Sequence, residues 1–435
     1  MLQQTPNADR GNLMVDSIAD WLMEQALNEQ TTMKTLFEGT CLRLLAEGVP
    51  IIRSHFAFRT LHPLYAAVGH IWSKDKETVH VEVPHDDAAI GTGWTQSPYA
   101  FLFDNQIDHV RRRLTGEDAL LDFPVLQDFR DEHDATDYLA YAIAFDPDAT
   151  GERIKSGVVG SWLTNRPGGF SENDLRALLR IQKRLAVTFK VLIKAEITNN
   201  ILNTYLGPDA GKQVLSGLIK RGDYETIHAV IWYSDMRNST PLAESLSPED
   251  FFAMVNAYFE CTAGAVMESG GEVLRFIGDA VLAIFPIRKG EQTEAQACNK
   301  AMRAMRNAEK RVCKMNFDRA ANGQPIIEYG LGLHVGDVMF GNIGVPDRLE
   351  FSVIGPAANE TARLESMTKE LGRKVIVSDH FARNIKSDWE SLGNKRLKGV
   401  GGKMKLFSPK PAKPNLVKSK LVKTKTAKKK KVAVK

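Results

Sequence analysis

The chain has 435 residues, 43% hydrophobic and 25% charged, with a formal net charge of +4. That composition suits a globular protein of two or three domains and excludes collagen-like and fully disordered classes. No run of about 18 apolar residues occurs, so no transmembrane helix is expected. The opening residues lack the charged and apolar regions of a secretory signal, so a cytoplasmic location is expected.

In chain order, residues 15–32 predict a short amphipathic helix carrying Ile18, Trp21, Leu22 and Leu27. From about 34 to 190, helix and strand signals alternate. Residues 56–61, 64–72, 138–145 and 157–163 read as strands. The last is followed by Arg166-Pro-Gly-Gly-Phe-Ser, where Ser171 and Asp174 form an N-cap signal for a helix running to about 205. On that helix Leu178, Ile181, Leu185, Leu192, Ala195 and Leu202 fit heptad a and d positions, with Thr188 and Asn199 as polar exceptions. The stripe predicts either a parallel pair of helices from two copies or, in its first half, a face buried against its own domain. A break and restart is expected over residues 205–215. His55, His62, His70 and His80 have no ligand spacing and read as ordinary core or surface histidines.

Further on, the signals are strand (227–234), helix (248–269), strand (272–277), strand (280–285), helix (293–316), then strands from 326. This β-α-β-β-α-β order predicts a ferredoxin-like core. Ser247-Pro248 is an N-cap with Pro at the first helical position. Cys41, Cys261, Cys298 and Cys313 form no Cys-x-x-Cys pair; three fall in helical patterns, and buried reduced thiols are expected rather than a zinc site. Residues 408–435 carry eleven Lys and no acid, which leaves −7 for the remainder. This tail is expected to be disordered, and either only solubilises the chain or binds anionic lipid or nucleic acid through charge.

Two aspartates lie where apolar strands run out into turns: Asp235, after residues 227–233, and Asp279, at the tip of a Gly278-Asp279 hairpin. If the strands are adjacent, the carboxylates form a hard-oxygen site for Mg²⁺. Taken singly, each reads equally as turn or cap chemistry. A third segment, residues 351–364, ends a strand at Gly355 and opens a helix at Pro356. Asn359 and Arg363, four residues apart, share a face of that helix, where they suit a ribose and a phosphate or, taken alone, read as a solvated helix face.

These three segments, with the pattern Gly332, His334, Gly336, Gly341 and Gly344, resemble the catalytic domain of class III nucleotidyl cyclases from about Ile227 to Phe407. The resemblance implies conversion of a nucleoside triphosphate to a 3′,5′-cyclic monophosphate and pyrophosphate. It implies two Mg²⁺ or Mn²⁺ ions per site held by Asp235, Asp279 and the carbonyl of Met236. Asn359 is implied to orient the ribose, Arg363 to stabilise the transition-state phosphate, and Asn238, Ser239 and Thr240 to form the phosphate-side loop. In the family, metal aspartates and the Asn-Arg helix come from opposite subunits, so a homodimer is implied.

Base choice falls by resemblance on Arg275, where adenylate cyclases carry Lys and guanylate cyclases Glu, and on Ser352. An Arg cannot accept a hydrogen bond, and the Ser352 hydroxyl can accept from an adenine amino group, so ATP is favoured. Three positions depart from the family pattern: Arg275 itself, Asn238 where Gly is usual, and Val400 where a triphosphate Lys is usual, with Lys398, Lys403 and Arg237 as weaker candidates. Asn238 tolerates the left-handed angles of the usual Gly. The segment before the helix resembles a GAF domain, best over residues 138–190, which adds a small-molecule regulatory ligand to the expectation.

The fold expected is thus α/β (α+β): a ferredoxin-like class III cyclase domain at 223–407, preceded by a GAF-like α/β sensor domain at 34–190 and a connecting helix at 172–222. An N-terminal helix at 1–33 and a Lys-rich tail at 408–435, which offers a route to a membrane surface, flank them. The alternatives to an adenylate cyclase are a guanylate or dual-specificity cyclase and a catalytically silent regulatory dimer.

Overall fold

The computed structural model describes residues 6–85, 93–145, 157–288 and 290–410. It divides into two compact units between Gln213 and Val214.

In the first unit, α1 (Pro6–Leu27) and α2 (Met33–Ala46) precede β1 (Arg53–Arg59), β2 (Tyr65–Ser73) and β3 (Val79–Pro84). Then come α3 (Pro98–Asp104), β4 (His109–Arg113), α4 (Pro124–His133), β5 (Asp137–Ala144), β6 (Gly157–Thr164) and the long α5 (Glu172–Leu206). The strands form one antiparallel sheet in the order β3-β2-β1-β6-β5-β4. Strand alternation sorts its faces. Leu139, Tyr141 and Trp162 join the core under α1, α2 and α5, whereas Tyr138, Ala140 and Leu163 join the core under α3 and α4.

The Pro-Gly-Gly-Phe-Ser segment has a specific anchor. Asp137 is fully buried and accepts from Arg111 Nη2 at 2.7 Å and from the Phe170 N–H at 2.9 Å. Gly169 sits at φ 73°, and a Cβ there would lie 2.5 Å from Asp137 Oδ2. Ser171 then caps α5 in a capping box with Asp174.

The heptad-like stripe on α5 splits in two. Leu178, Ile181 and Leu185 are buried in one cluster with Val15, Ile18 and Leu22 of α1, so this half is not available to a second copy. Gly207, at φ 87°, ends α5, and α6 (Pro208–Leu215) restarts the helix.

In the second unit, β7 (Tyr224–Met236), α7 (Ser239–Ser245), α8 (Pro248–Glu268), β8 (Glu272–Ile277), β9 (Ala280–Pro286), α9 (Glu294–Ala321) and β10 (Tyr329–Val345) follow one another. Their strands lie in the order β10-β7-β9-β8, all antiparallel, a ferredoxin-like core with the short α7 added. Trp232, Tyr258, Phe285 and Met302 are buried in the core that α8 and α9 close.

β11 (Arg348–Ile354) folds back on the distal half of β10, and α10 (Pro356–Glu370) packs on the opposite face of the sheet from α8 and α9. β12 (Val375–Ser378), parallel to β10, α11 (Asp379–Arg383) and the hairpin β13 (Trp389–Arg396) and β14 (Lys403–Pro409) complete the unit. β14 carries Ser408 and Pro409 into the sheet, past the end expected at 407. From residue 411 the Lys-rich tail lies outside the described residues.

All four cysteines are free; Cys41, Cys261 and Cys298 are buried, while Cys313 is exposed, contrary to expectation. Among the described residues, no helix is long and apolar enough to cross a membrane.

Candidate active site

The site begins with the alternation of β7. Val230, Trp232 and Met236 enter the α8–α9 core, while Ala229 and Ile231 enter a cluster on the other face with Ala357 of α10. By that parity Asp235 shares the α10 face. The strand end is held from behind: the Trp232 indole and the Tyr258 hydroxyl both donate to Ser234 Oγ, at 3.1 and 3.2 Å.

The β7–β9 register places Asp235 opposite Ala280, so Asp279, in the preceding turn, is its immediate neighbour. Gly278, at φ 61°, supplies the left-handed residue that the turn needs. Burial and the adjacent Asp279 carboxylate raise Asp235 from 3.8 to about 6, against a smaller opposing backbone hydrogen bond from Met236. Asp279 Oδ2 is buried and has no hydrogen-bond partner. Two crowded carboxylates, one with an unsatisfied oxygen, suit a cation or a hydrogen-bond donor rather than another acceptor. Among the described residues no group of three or more His, Cys, Asp or Glu is placed to hold a metal. The pair therefore fits an ion that takes its other ligands from carbonyl oxygen, water and phosphate, as Mg²⁺ does.

Asn238 adopts φ 58°, ψ 30°, the left-handed geometry expected of it, and Ser239 and Thr240 begin α7 directly after it. Arg237 is half-buried and is engaged within the chain. Its Nη2 donates to Thr368 Oγ1 at 3.1 Å and to the Arg373 carbonyl at 2.9 Å, tying the loop after Asp235 to the end of α10.

α10 approaches the sheet closely because β10 is glycine-rich beneath it. A Cβ on Gly332 would lie 2.5 Å from the Thr361 carbonyl oxygen, and one on Gly336 would lie 2.6 Å from Ala357 Cβ. His334, between them in sequence, contacts Ser378 Oγ through Nδ1 at 2.8 Å and Glu360 Oε2 through Nε2 at 3.0 Å. Burial lowers its pKa to about 4, so the ring is neutral at pH 7, donating to Glu360 and accepting from Ser378. This contact fixes α10 one residue from Asn359.

Asn359 and Arg363 project from the exposed face of α10, and among the described residues neither side chain makes a hydrogen bond or ion pair. On the inner face lies a group the sequence reading missed. Glu365 is 9% exposed and raised to about 7, by burial first and then by Asp235, with Arg237 opposing. Its position two residues after Arg363 gave no signal, because only the packing of α10 brings it towards the aspartates.

Arg275 Nη2 pairs with Glu350 Oε1 of β11 at 2.9 Å, and Ser352 is buried two residues further along β11. Val400 packs with the cluster of Leu397 and Leu406, while Lys398 and Lys403 are exposed.

Residues 223–408 match the model of the adenylate and guanylate cyclase catalytic domain. An adenylate cyclase of Anabaena cylindrica is 29% identical over 167 residues, 38% of this chain and 32% of that protein. Adenylate cyclase 1 of Rhizobium meliloti is 29% identical over 170 residues, 38% of this chain and 25% of that protein. The chain thus spans a third or less of the length of these relatives. Among solved structures, the adenylyl cyclase CyaB from P. aeruginosa aligns at TM-score 0.40 and 22% identity, over 45% of this chain and 99% of that one. The guanylyl cyclase Cya2 aligns at 0.37 and 24%, over 45% and 97%.

Proposed function

We propose, from the premise that residues 223–408 belong to the adenylate and guanylate cyclase catalytic-domain family, that this chain converts ATP to 3′,5′-cyclic AMP and pyrophosphate at a site completed by a second copy of itself. The observation that carries the reading is the Asp235–Asp279 pair, with its raised Asp235 and the unpartnered Asp279 Oδ2. When bound on this pair, divalent ions, Mg²⁺ or Mn²⁺ and two per site, would supply positive charge to the α-phosphate and to the leaving pyrophosphate.

In the reaction the ATP 3′-hydroxyl gives up its proton to solvent and its oxygen bonds to the α-phosphorus, while the bond from that phosphorus to the pyrophosphate oxygen breaks and pyrophosphate leaves with the electron pair. Asp235 and Asp279, with the Met236 carbonyl, would hold the ions. Asn359 orients the ribose, and the Arg363 guanidinium meets the charge that grows on the phosphate. Ser352 accepts from the adenine amino group. The exposed, unpartnered Asn359 and Arg363 support a composite site, because groups suited to substrate stand outward on a face of the chain.

The first unit is read as a GAF-like sensor. Between its sheet and α3 and α4 lies a cavity of about 390 Å³, lined in part by Arg53, His55, Tyr99, Phe129, Tyr138 and Ser161. The His55 ring meets the Tyr99 hydroxyl at 2.7 Å, and burial holds His55 down to about 3, hence neutral. The Arg53 guanidinium stacks 4.9 Å over Phe129 and makes no ion pair among the described residues; Asp128 also lines the cavity, so the expected ligand is a small organic molecule whose anionic group meets Arg53. In a thermal-shift screen of small carboxylates and phosphate monoesters, at least one should stabilise the unaltered chain and not Arg53→Ala. Equal shifts in both would count against this site.

Turnover is tested by giving the purified protein ATP or GTP in parallel with Mn²⁺. Cyclic AMP supports the proposal. No product from a confirmed dimer favours the silent regulatory dimer.

A further inference from the structure

We propose that Glu350 selects the purine together with Arg275, and that this pair gives the pocket a capacity for GTP beside ATP. The inference rests on the cyclase reading and on Arg275 meeting the base. Arg275 and Glu350 belong to strands that are not hydrogen-bonded neighbours: β8 ends the β10-β7-β9-β8 run, and β11 pairs only with β10. Their side chains nevertheless meet at 2.9 Å, at 43% and 48% exposure. A pair so exposed adds little to stability, so folding alone gives no reason for it.

Glu350 and Ser352 are two residues apart on one strand and share a face, while Phe351 between them turns the other way and packs edge-on against Phe340, 4.5 Å between centroids. Arg275 therefore reaches β11 on the side that carries Ser352. That face offers a donor-only guanidinium, an acceptor-only carboxylate and a hydroxyl that does either.

Alone, Arg275 has nothing to offer a purine donor. Paired with Glu350 it presents donor and acceptor side by side. Adenine places its N6 amino donor beside the N1 acceptor; guanine places its O6 acceptor beside the N1–H and N2–H donors. The pair matches either edge. The two bases differ in how much they need Glu350. Adenine's amino group can be taken by Ser352, whereas guanine's two adjacent donors call for both oxygens of a carboxylate, and leaving them unpaired is costly.

The test measures kcat/KM for ATP and for GTP, in the unaltered chain and in Glu350→Gln, in the presence of Mn²⁺. Gln replaces one acceptor by a donor while keeping the shape. The unaltered protein should make both cyclic nucleotides, and the GTP-to-ATP ratio should fall by about tenfold or more in the variant. A general structural role for Glu350 would lower both rates together and leave the ratio alone. Turnover of a single nucleotide by the unaltered chain, or a ratio changed less than about twofold, overturns the proposal. Equilibrium binding of fluorescent ATP and GTP analogues to both proteins separates this inference from the cyclase reading. If no product forms, a GTP-analogue affinity lost selectively in Glu350→Gln still upholds base selection, and parallel affinities in the two proteins reject it.

Discussion

Asp235 and Asp279 are held together at an energetic disadvantage, which a cation bound under the proposed function would relieve. A carboxyl whose pKa rises from 3.8 to about 6 on folding binds more protons folded than unfolded. The metal-free protein should therefore lose stability as pH climbs through that window, and recover it when Mg²⁺ or Mn²⁺ binds. Asp235→Asn should raise the melting temperature of the metal-free chain at pH 7.5, by about 2–4 °C, and abolish the further rise given by Mn²⁺. A melting temperature that falls would show that the pair is not strained. Because ligation requires the carboxylate, apparent metal affinity should weaken as pH drops below about 6, measurable by titration calorimetry. Asp279→Ala should cost at least about a hundredfold in turnover while leaving the oligomeric state intact. These aspartates were legible because apolar runs mark the strands on which they end. Glu365 and the strap formed by Arg237 were not, since both depend on how α10 lies against β7 and β10.

Among the elements, α10 is placed by what β10 lacks. The glycine spacing was legible as a family pattern, and its physical content is the close approach at Thr361 and Ala357. Gly336→Val should destabilise the second unit by about 1–3 kcal/mol, seen in denaturant melts, because a core this tight has no room for a side chain. An unchanged midpoint would mean that α10 has other room to move. The strand, hairpin and helix order of the second unit could be read from hydrophobic periodicity. β3 and β4 could not: β4 reads His-Val-Arg-Arg-Arg, with one buried residue in five, and β3 has none buried. Edge strands of that kind owe their place to a neighbour's hydrogen bonds rather than to their own apolar pattern. The stripe on α5 was visible too, yet sequence alone left open which surface covers it, and α1 covers its first half.

At the scale of the whole molecule, the proposed site needs two copies of the chain. Asp235 lies near the end of β7 and Asp279 in the turn between β8 and β9, Asn359 and Arg363 are exposed on α10, and among the described residues no side-chain hydrogen bond or ion pair joins the two sets within one chain. In a two-fold dimer, a mixed pair carrying Asp235→Ala in one subunit and Arg363→Ala in the other contains one site with both changes and one with neither. The most direct measurement is cyclic AMP production by the two inactive variants, apart and after subunit exchange at equal amounts. A shared site should give negligible activity apart and about a quarter of the unaltered rate after random exchange, since half the dimers are mixed and each keeps one of its two sites. No recovery, with mixed dimers demonstrated by differently tagged subunits, would contradict a site shared between chains.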